Sequence, residues 1–480
     1  MLRANTLGIL VPGWSRYSYL PMPSRRPPVD APQHHELPSV SLLILNWNGR
    51  EHLGPVLSSI AMLDYPADRL EVVVADNASS DGSVAYVRDN FPAVRLLELD
   101  RNYGFAEGNN RAAAAAGNRW LAFLNNDMRV EPDWLTKLVE PVLAKPDLAA
   151  VSSKILNWDG TAIDFIGAGI NFQGFGFQVD HGKKSSKSDT PRRLLSPCGG
   201  AMLVRRELFL KVGGFDPDYF GFYEDTDLGW RLNLLGHDVW YTPDAVCYHR
   251  GHGTFDKVNA ERTRLLYERN SLFTMYKCLD DANLAAALPA TMLLLNEKAL
   301  RMADLDPARF RLGPGPAANA RSSRPKPSGA ADRSYAFDPV GEDAEGLAAK
   351  TGRVLREHGF GTFVRKALRF VSTRGRTRLR RLAATISGRR TSLPGVSIAH
   401  YVALSDFTHH LPALKIKRQW LQERRVRSDA ELLPLFLFAL EPSYHDPEYM
   451  KTHRQLLRVL ELDKRFASGD ASRETAASET

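Results

Sequence analysis

The sequence predicts an α/β fold: a mixed sheet flanked by helices, followed by a mostly helical C-terminal region. From Val40, short apolar runs rich in β-branched residues alternate with helical segments, as in a βαβ chain. A second block, roughly 149–280, mixes glycine-rich strand patterns with a helix that starts near Glu224. Beyond about residue 346 the remaining segments are helical in pattern.

The strand segments of the first block are VSLLIL, LEVVVA, VRLLEL and RWLAFL. Continuous apolar strands of this kind are buried on both faces, and right-handed crossover helices make them parallel. In the first helix Leu53, Val56, Leu57 and Ile60 form one apolar stripe, which we expect to pack on the sheet. Ligands should then bind at the carboxyl ends of the strands.

Composition shifts divide the chain into six parts. We expect a proline- and arginine-rich extension without fixed structure at 1–37, a globular domain at 38–280, an apolar helix at 281–302, a Pro/Gly/Ser-rich linker at 303–345, a separate helical region at 346–466 and a disordered tail at 467–480. The longest apolar run, Leu284 to Leu295, contains Pro289 and falls well short of the roughly 20 residues that span a bilayer. No signal peptide is predicted at the N-terminus.

Charge and cysteine content restrict the environment more than the function. A net charge of +8 over 480 residues suits nucleic acid, an anionic membrane or a phosphorylated small molecule. Cys198, Cys247 and Cys278 lack the paired spacing of a zinc site or a disulfide framework. We therefore expect a cytoplasmic protein, in solution or at the inner face of the cell membrane.

Polar side chains follow the first two strands. Asn46, Trp47 and Asn48 end the first strand, where amides and an indole can bond to or stack on a base. Asp76 ends the second, a place from which a carboxylate accepts bonds from a base or from ribose hydroxyls. Nearby Ser80 or Asp81 is expected to be an ordinary helix cap.

Two further segments suit a diphosphate. The stretch from Asn102 to Asn110, with Gly108 and Asn109, allows close backbone approach and precedes a helix whose N-terminal amides suit phosphate. The strand that ends at Leu124 opens into Asn125-Asn126-Asp127, which supplies the oxygen ligands that magnesium or manganese prefers. An ordinary hydrogen-bonded turn is the competing interpretation.

Glu224, Asp225 and Asp227 place three acids within four positions, framed by aromatic residues. Apolar surroundings and like charge raise a carboxyl pKa, which prepares one acid as a general base. Helix capping is the alternative, and we expect that role of Asp227. His249 ends a short apolar strand and is either a metal ligand or a structural histidine, with His252 close by.

Read in order, LNWNG, ADNASSDG, NYGFAEGNN, LNND, GGAMLVRRELFLKVGGFD and FYEDTDLGWRL resemble inverting glycosyltransferases of family 2. The wording is most similar to the rhamnosyltransferase-like and galactofuranosyltransferase-like branch, and it covers about residues 38–280. The resemblance implies a GT-A type, Rossmann-like fold and a nucleotide-diphosphate-sugar donor, a dTDP- or UDP-sugar. It also implies a glycan or lipid-linked acceptor in cell-envelope synthesis and a hexosyl, such as rhamnosyl, transfer.

The resemblance also implies roles for individual residues. A Mg²⁺ or Mn²⁺ ion would be bound at a D-x-D-like motif, here Asn125-Asn126-Asp127, with Asp127 and His249 as ligands. Asp225, beside Glu224, would deprotonate the acceptor, and Asp76 would recognise the nucleotide. The donor-binding set comprises Asn46, Trp47, Asn48, Asp76, Asn102, Gly108, Asn109 and Asn126.

Other functions stay open at this point. An inactive family relative that acts as a scaffold fits the replacement of the first motif acid by Asn125. A dehydrogenase or nucleotidyltransferase is disfavoured because neither G-x-G-x-x-G nor a P-loop follows the first strand. Nucleic-acid binding through Arg353 to Arg390 lacks an accompanying aromatic motif, and we expect no nucleic-acid partner.

A basic amphipathic segment lies between residues 363 and 381 and is predicted to contact an anionic membrane surface. A solvated helix packed on the catalytic domain is the alternative. Its basic residues are Arg365, Lys366, Arg369, Arg374, Arg376, Arg378, Arg380 and Arg381, and its apolar residues include Phe363, Leu368, Phe370 and Leu379.

Overall fold

The structure is a computed structural model that describes residues 37–185, 189–251, 260–303 and 393–469. The predicted N-terminal extension and linker lie outside the described residues, except for residues 37 and 303. His252, the basic segment at 363–381 and most of the predicted C-terminal tail also lie outside them.

A ten-stranded sheet formed by the described residues organises the chain. Its strands, with the small pair β8 and β9, are β1 (Val40–Asn46), β2 (Leu70–Asp76), β3 (Arg95–Glu98), β4 (Trp120–Leu124), β5 (Met128–Val130), β6 (Ala150–Asn157), β7 (Ile163–Phe165), β8 (Ala168–Ile170), β9 (Gly176–Gln178), β10 (Arg192–Leu194), β11 (Ala201–Arg205) and β12 (Val239–His249). The main path through the sheet is β10-β12-β6-β11-β4-β1-β2-β3.

Strand directions confirm the predicted mixed sheet. β1 pairs in parallel with β2 and β4, and β2 pairs in parallel with β3, as the apolar runs predict. β11 lies antiparallel between β4 and β6. The second block therefore completes the same sheet.

The helices cover both faces of the sheet and extend beyond it. They are α1 (Arg50–Ala61), α2 (Ser83–Asn90), α3 (Gly104–Ala115), α4 (Trp134–Ala144), α5 (Arg206–Lys211), α6 (Glu224–Leu234), α7 (Ala260–Cys278), α8 (Asp281–Met302), α9 (Gly395–Glu423), α10 (Asp429–Leu432), α11 (Pro447–Val459) and α12 (Leu462–Arg465). The predicted stripe of α1 is confirmed, because Leu53, Val56, Leu57 and Ile60 are all buried in the core.

The topology gathers strand ends at one edge. The parallel registers of β1, β2 and β4 place Asn46, Asp76 and Leu124 at that edge. β12 ends there too, and it pairs antiparallel with β5 so that His249 is opposite Met128. His249 is therefore brought next to Asp127, although 122 positions separate them in the chain.

The C-terminal helices are not a separate unit, which corrects the prediction for the described part of 346–466. Phe407, Leu414 and Leu421 of α9 lie in one hydrophobic core with Phe273 and Met275 of α7. This packing buries apolar surface that each helix would otherwise expose to water. The linker composition suggested a separate C-terminal domain, but the C-terminal helices share a hydrophobic core with α7.

Backbone contacts join the same region to the strands near the site. The Ile170 amide donates to the Phe436 carbonyl at 2.8 Å, and the Phe172 amide donates to Ala439 at 2.9 Å. The predicted helix ELLPLFLFALE is mostly wrong: α10 ends at Leu432 and only a short 3-10 turn follows. Pro434 explains the break, since proline lacks the amide hydrogen that a continuing helix needs.

Helix length also bears on the membrane question. α8 spans the predicted apolar segment 281–302 and contains Pro289. Across the described ranges, no helix combines the length and apolarity needed to cross a membrane.

Candidate functional site

A cavity of about 450 Å³ opens at the carboxyl edge of the sheet. Seven of the predicted site residues line it: Trp47, Asn102, Asn126, Asp127, Glu224, Asp225 and His249. Five others are absent from its wall: Asn46, Asn48, Asp76, Gly108 and Asn109. The predicted residues therefore gather at one edge of the sheet, where seven line the cavity and several others support its wall from behind.

Asp76 belongs to this supporting layer. Its buried carboxylate accepts from Asn46 Nδ2 at 3.0 Å and from the Ser79 amide at 2.7 Å. Asn46 Oδ1 in turn accepts from Asn126 Nδ2 at 2.8 Å. Asp76 therefore holds Asn46 in place, and Asn46 holds Asn126. Of these three hydrogen-bonded residues, Asn126 is the one that lines the cavity.

The turns after β1 and β2 are joined by side chains. Asn48 Oδ1 accepts from the Ser80 amide at 2.7 Å, and Asp81 accepts from the amides of Arg50 at 2.9 Å and Ser83 at 3.1 Å. Asp81 therefore joins the starts of α1 and α2, but the predicted capping role is wrong, because the N-cap of α2 is Gly82 and no side-chain cap bond forms there. Asn48 is occupied by this turn.

The N-terminus of α3 is already capped, which corrects the prediction that its amides hold phosphate. The Phe220 carbonyl accepts from the amides of Phe105 at 2.6 Å and Ala106 at 3.3 Å. The Gly104 amide donates to Asn102 Oδ1 at 2.8 Å. The first-turn donors that an anion would need are therefore occupied.

Gly108 and Asn109 have structural roles in α3. A Cβ atom on Gly108 would lie 2.7 Å from Leu45 Cδ1, so glycine permits the helix to approach β1. Asn109 Nδ2 donates to the Phe105 carbonyl at 3.0 Å and is buried. Both residues shape the cavity without forming its wall.

Asp127 and His249 face each other across the cavity wall. His249 Nε2 lies 3.2 Å from Asp127 Oδ2, and the Arg250 amide donates to the Asp127 carbonyl at 3.0 Å. Burial raises the pKa of Asp127, but the hydrogen bond and charge of His249 outweigh burial and lower it. Burial lowers the pKa of His249, but its hydrogen bonds to Asp127 and Asp164 outweigh burial and raise it to about 10.

Asp164 is a functional candidate that the sequence analysis missed. Its Oδ2 lies 2.5 Å from His249 Nδ1, and His181 Nδ1 lies 3.0 Å from its carbonyl oxygen. A carboxylate on Nδ1 directs the other ring nitrogen of a histidine toward a metal. No motif marks Asp164 in the sequence, because only the pairing of β7 with β6 brings it to His249.

The side chains of Asp127 and His249 suit a divalent cation that a bound nucleotide also contacts. Among residues 37–185, 189–251, 260–303 and 393–469, no cluster of three or more His, Cys, Asp or Glu side chains could hold a metal. Asp127 and His249 would supply one carboxylate and one imidazole nitrogen to a divalent cation, and oxygen atoms of a bound ligand would have to supply the rest. The residues therefore fit such an ion only as part of a donor complex.

Glu224 and Asp225 also line the cavity. Asp225 accepts from the amides of Gly199 at 2.9 Å and Thr226 at 2.7 Å, and burial raises its pKa. Glu224 is buried, its Oε2 has no hydrogen-bond partner in the described structure, and burial followed by the charge of Asp225 raises its pKa well above the usual value. Burial therefore makes both carboxyl groups weaker acids than they are in water.

Asp227 does not cap α6, contrary to expectation. Its side chain is fully buried and pairs with Arg231 at 2.8 Å and Lys277 at 2.6 Å, whereas no side-chain cap bond forms at this helix start. An unpaired carboxylate at this depth would be strongly unfavourable. Asp227 is thus part of the frame that anchors α6 on α7.

Aromatic residues complete the wall. Phe222 stacks on Tyr267 with ring centroids 4.6 Å apart, and Tyr223 packs edge-on against Tyr267. Arg262 lies over the Phe220 ring at 5.1 Å. The aromatic residues that precede Glu224 could be recognised in the sequence. Nothing in the sequence indicated Tyr267 or Arg262, which lie on α7 and line the cavity.

Comparison with known proteins gives consistent matches. Residues 41–213 match the family described as glycosyl transferase family 2. The chain is 30% identical over 229 residues to the N-acetylglucosaminyl-diphospho-decaprenol L-rhamnosyltransferase of Mycobacterium tuberculosis, an alignment that covers 42% of this chain and 74% of that protein. It is also 30% identical over 223 residues to the O-antigen biosynthesis protein RfbC of Myxococcus xanthus, covering 44% of this chain and 17% of that protein.

A solved structure is also similar. The crystal structure of GalNAc-T7 with UDP, GalNAc and Mn²⁺ aligns with a TM-score of 0.42 at 17% identity, over 53% of this chain and 51% of that one.

Proposed function

This chain belongs to glycosyltransferase family 2, and we propose from that premise that it transfers a sugar from a nucleotide-diphosphate donor to an acceptor hydroxyl with inversion. One observation carries the proposal. One cavity is lined both by Asp225 and by the Asp127–His249 pair. An inverting transfer needs a base behind the acceptor oxygen and positive charge at the leaving diphosphate, and these two groups supply the required chemistry.

Asp225 is the base in this proposal. The amides of Gly199 and Thr226 hold its carboxylate in one orientation, and its raised pKa moves it toward the range where a carboxylate takes a proton from an alcohol. Glu224 lies beside it, and burial together with the charge of Asp225 raises the pKa of Glu224 as well. Asp225 would accept the acceptor's proton as the acceptor oxygen attacks the anomeric carbon.

Asp127 and His249 would hold Mg²⁺ or Mn²⁺ together with the donor diphosphate. The cation neutralises the charge of the departing diphosphate when it is bound. With no metal, the raised pKa keeps a proton on His249, so the ring must release it before Nε2 becomes a ligand. Asp164 then retains the hydrogen on Nδ1 and keeps Nε2 directed at the cavity.

The donor nucleotide would lie between Trp47 and Asn102, which line the cavity on the β1 side. Asn126 lies between this part and Asp127, and Asp76 acts on it through Asn46. We propose a dTDP- or UDP-sugar as donor and rhamnose as the first sugar to test, because the mycobacterial relative is named a rhamnosyltransferase.

The acceptor would be lipid-linked, in cell-envelope polysaccharide or glycolipid synthesis. Gly395 at the start of α9 lies against the side chain of Glu261, which precedes the cavity residue Arg262. The same end of α9 exposes Ile398, Tyr401 and Val402. These exposed apolar side chains, on the helix whose first residue contacts Glu261, support an acceptor whose lipid part lies at a membrane.

Turnover by the purified full chain tests the proposal. A panel of dTDP- and UDP-sugars is offered with a lipid-diphosphate-linked sugar acceptor, and donor binding is measured by calorimetry. Asp225→Asn should abolish transfer and leave donor binding largely intact, since the base acts on the acceptor alone. Asp244→Asn, an exposed acid on β12, is the matched control and should keep full activity.

Two results would contradict the proposal. Turnover of Asp225→Asn above about a tenth of the wild-type rate is too high for loss of a general base, which typically contributes at least about a hundredfold. Donor binding by the wild type without transfer from any donor would instead favour an inactive scaffold.

A further inference from the structure

Residues 220–223, here called the strap, lie along the cavity wall in a conformation that bulky residues rarely adopt. Phe220, Phe222 and Tyr223 have φ angles of 62°, 68° and 70°, in the left-handed region where Cβ crowds the backbone. All three residues line the cavity. Such backbone persists only where surrounding contacts hold it, so the strap needs a restraint.

The two ends of the strap form hydrogen bonds with the first turns of two helices, α3 and α6. At its start, the Phe220 carbonyl caps α3 through the amides of Phe105 and Ala106. At its end, the Tyr223 carbonyl accepts from the Asp227 amide at 2.8 Å and begins α6. Asp225 lies in that first turn, so the conformation of the strap determines where its carboxylate lies.

The restraint comes from Asn270 of α7, whose side chain is completely buried. Its Nδ2 lies 2.9 Å from the Gly221 carbonyl oxygen, 2.8 Å from that of Phe222 and 3.1 Å from that of Tyr219. The two hydrogens of the amide are thus shared among three carbonyls in and beside the strap.

The orientation of this amide is itself fixed. Arg269 Nε donates to Asn270 Oδ1 at 3.0 Å, which leaves Nδ2 toward the strap. The Arg269 guanidinium also donates to the carbonyl of Asp218 at 2.9 Å. Two adjacent residues of α7 therefore hold the segment that leads into Asp225.

We propose that Asn270 is a positioning residue for glycosyl transfer: it holds the strap in its strained conformation and thereby keeps Asp225 facing the acceptor. The inference rests on the proposed role of Asp225. Without the side-chain amide of Asn270, the carbonyls of Gly221 and Phe222 lose these two hydrogen bonds, and the strap relaxes toward ordinary backbone angles. Asp225 then leaves its alignment with the Gly199 amide, while the residues on the donor side keep their places.

Two substitutions and one control test this. Asn270→Ala removes both donors, and Asn270→Ser retains one. Asn283→Ala removes another buried side-chain amide, whose hydrogen bonds within the described ranges go to Asp280, Asp429 and Arg465, away from the strap. Turnover, donor affinity and the rate of chymotrypsin cleavage after Phe220, Phe222 and Tyr223, mapped by mass spectrometry, are measured on the full chain.

We expect Asn270→Ala to lower kcat by at least about tenfold, because small misplacements of a catalytic group are that damaging. Its affinity for the nucleotide-sugar donor should stay within about threefold of the wild-type value, because a contact that acts only in the transition state lowers kcat and does not weaken binding. Strap cleavage should accelerate. Asn270→Ser should recover part of kcat, and Asn283→Ala should match wild type in turnover and cleavage.

Several outcomes would overturn the inference. Unchanged strap cleavage in Asn270→Ala means that Asn270 is not the restraint. Faster cleavage with kcat unchanged means that the strap does not position Asp225. A parallel loss of kcat and donor affinity in Asn270→Ala and Asn283→Ala means a general structural role. Failure of the proposed function is distinguishable, because it appears as an active Asp225→Asn, whereas strap cleavage is measured without turnover.

Discussion

His453 makes the docking of α11 sensitive to acid. Its side chain is 3% exposed, its ring lies 5.7 Å from that of Phe172, and its Nε2 has no hydrogen-bond partner within the described ranges. Burial, with a smaller contribution from Arg454, lowers the pKa of His453 to about 4, against the opposing effect of Glu441. Phe172 precedes the strand β9 that forms part of the cavity wall, so this docking supports the site.

The sign of the effect follows from the direction of the shift. The folded protein disfavours the imidazolium, so the unfolded chain, with a histidine pKa of about 6.5, binds the proton more readily. The contribution of neutral His453 to stability is complete above pH 6.5 and is lost as the pH falls toward 4. A difference of about 2.5 pKa units corresponds to roughly 3 kcal/mol below pH 4, and to about 2 kcal/mol between pH 7 and pH 5.

Denaturant unfolding at pH 7 and pH 5 measures this loss. Other groups also titrate in this range, so the informative quantity is the difference between wild type and His453→Phe, which keeps the aromatic packing but cannot bind a proton. Wild type should lose about 2 kcal/mol more than the variant. The exposed His445, changed to Phe, is the control and should follow wild type. Equal losses in wild type and His453→Phe would refute the reasoning.

Three further predictions concern the cation and the membrane. Asp127→Ala and His249→Ala should each weaken Mn²⁺-dependent donor binding in calorimetry, and excess chelator should stop turnover; full activity in chelator would contradict the metal proposal. Asp164→Ala should reduce Mn²⁺ affinity in the donor complex by about 10- to 100-fold, and Asp164→Asn by less, because its amide oxygen still accepts from Nδ1; equal affinity in wild type and both variants would exclude a positioning role. The basic segment at 363–381 should bind anionic vesicles with about 1 kcal/mol per basic residue, and the binding should fade with salt. Equal sedimentation with neutral and anionic vesicles, or none with either, would rule that segment out as a membrane contact.

The parallel half of the fold could be predicted because its strands are continuous apolar runs. β1 and β4 are buried along almost their whole length and β2 along its second half, and each ends in a polar residue or turn that is visible in the sequence. The facing of Asp127 and His249 could be expected from the family resemblance. Its physical cause, the antiparallel pairing of β5 with β12, is a long-range contact that local patterns do not encode.

The parts that were missed depend on such long-range contacts. Asp164 is a lone acid in the sequence and acquires meaning only from its 2.5 Å contact with His249. The amides of α3 looked free because the carbonyl that caps them comes from Phe220, more than a hundred positions away. Asp227 looked like a cap because its partner Lys277 lies in another helix. In each case, the residue that makes the contact lies far away in the sequence, so local sequence patterns could not predict it.

The core shared by α7 and α9 has a consequence for exchanging parts between related enzymes. The stretch that matches the family ends at residue 213, before Asp225, His249 and Asn270. A graft cut at that boundary would combine Asp127 and its neighbours from one protein with the residues at positions 225, 249 and 270 from another. A graft cut after α7 would expose Phe273 and Met275, which α9 and its neighbours cover. Acceptor preference is therefore expected to transfer only when everything from the strap to α12 moves as one block.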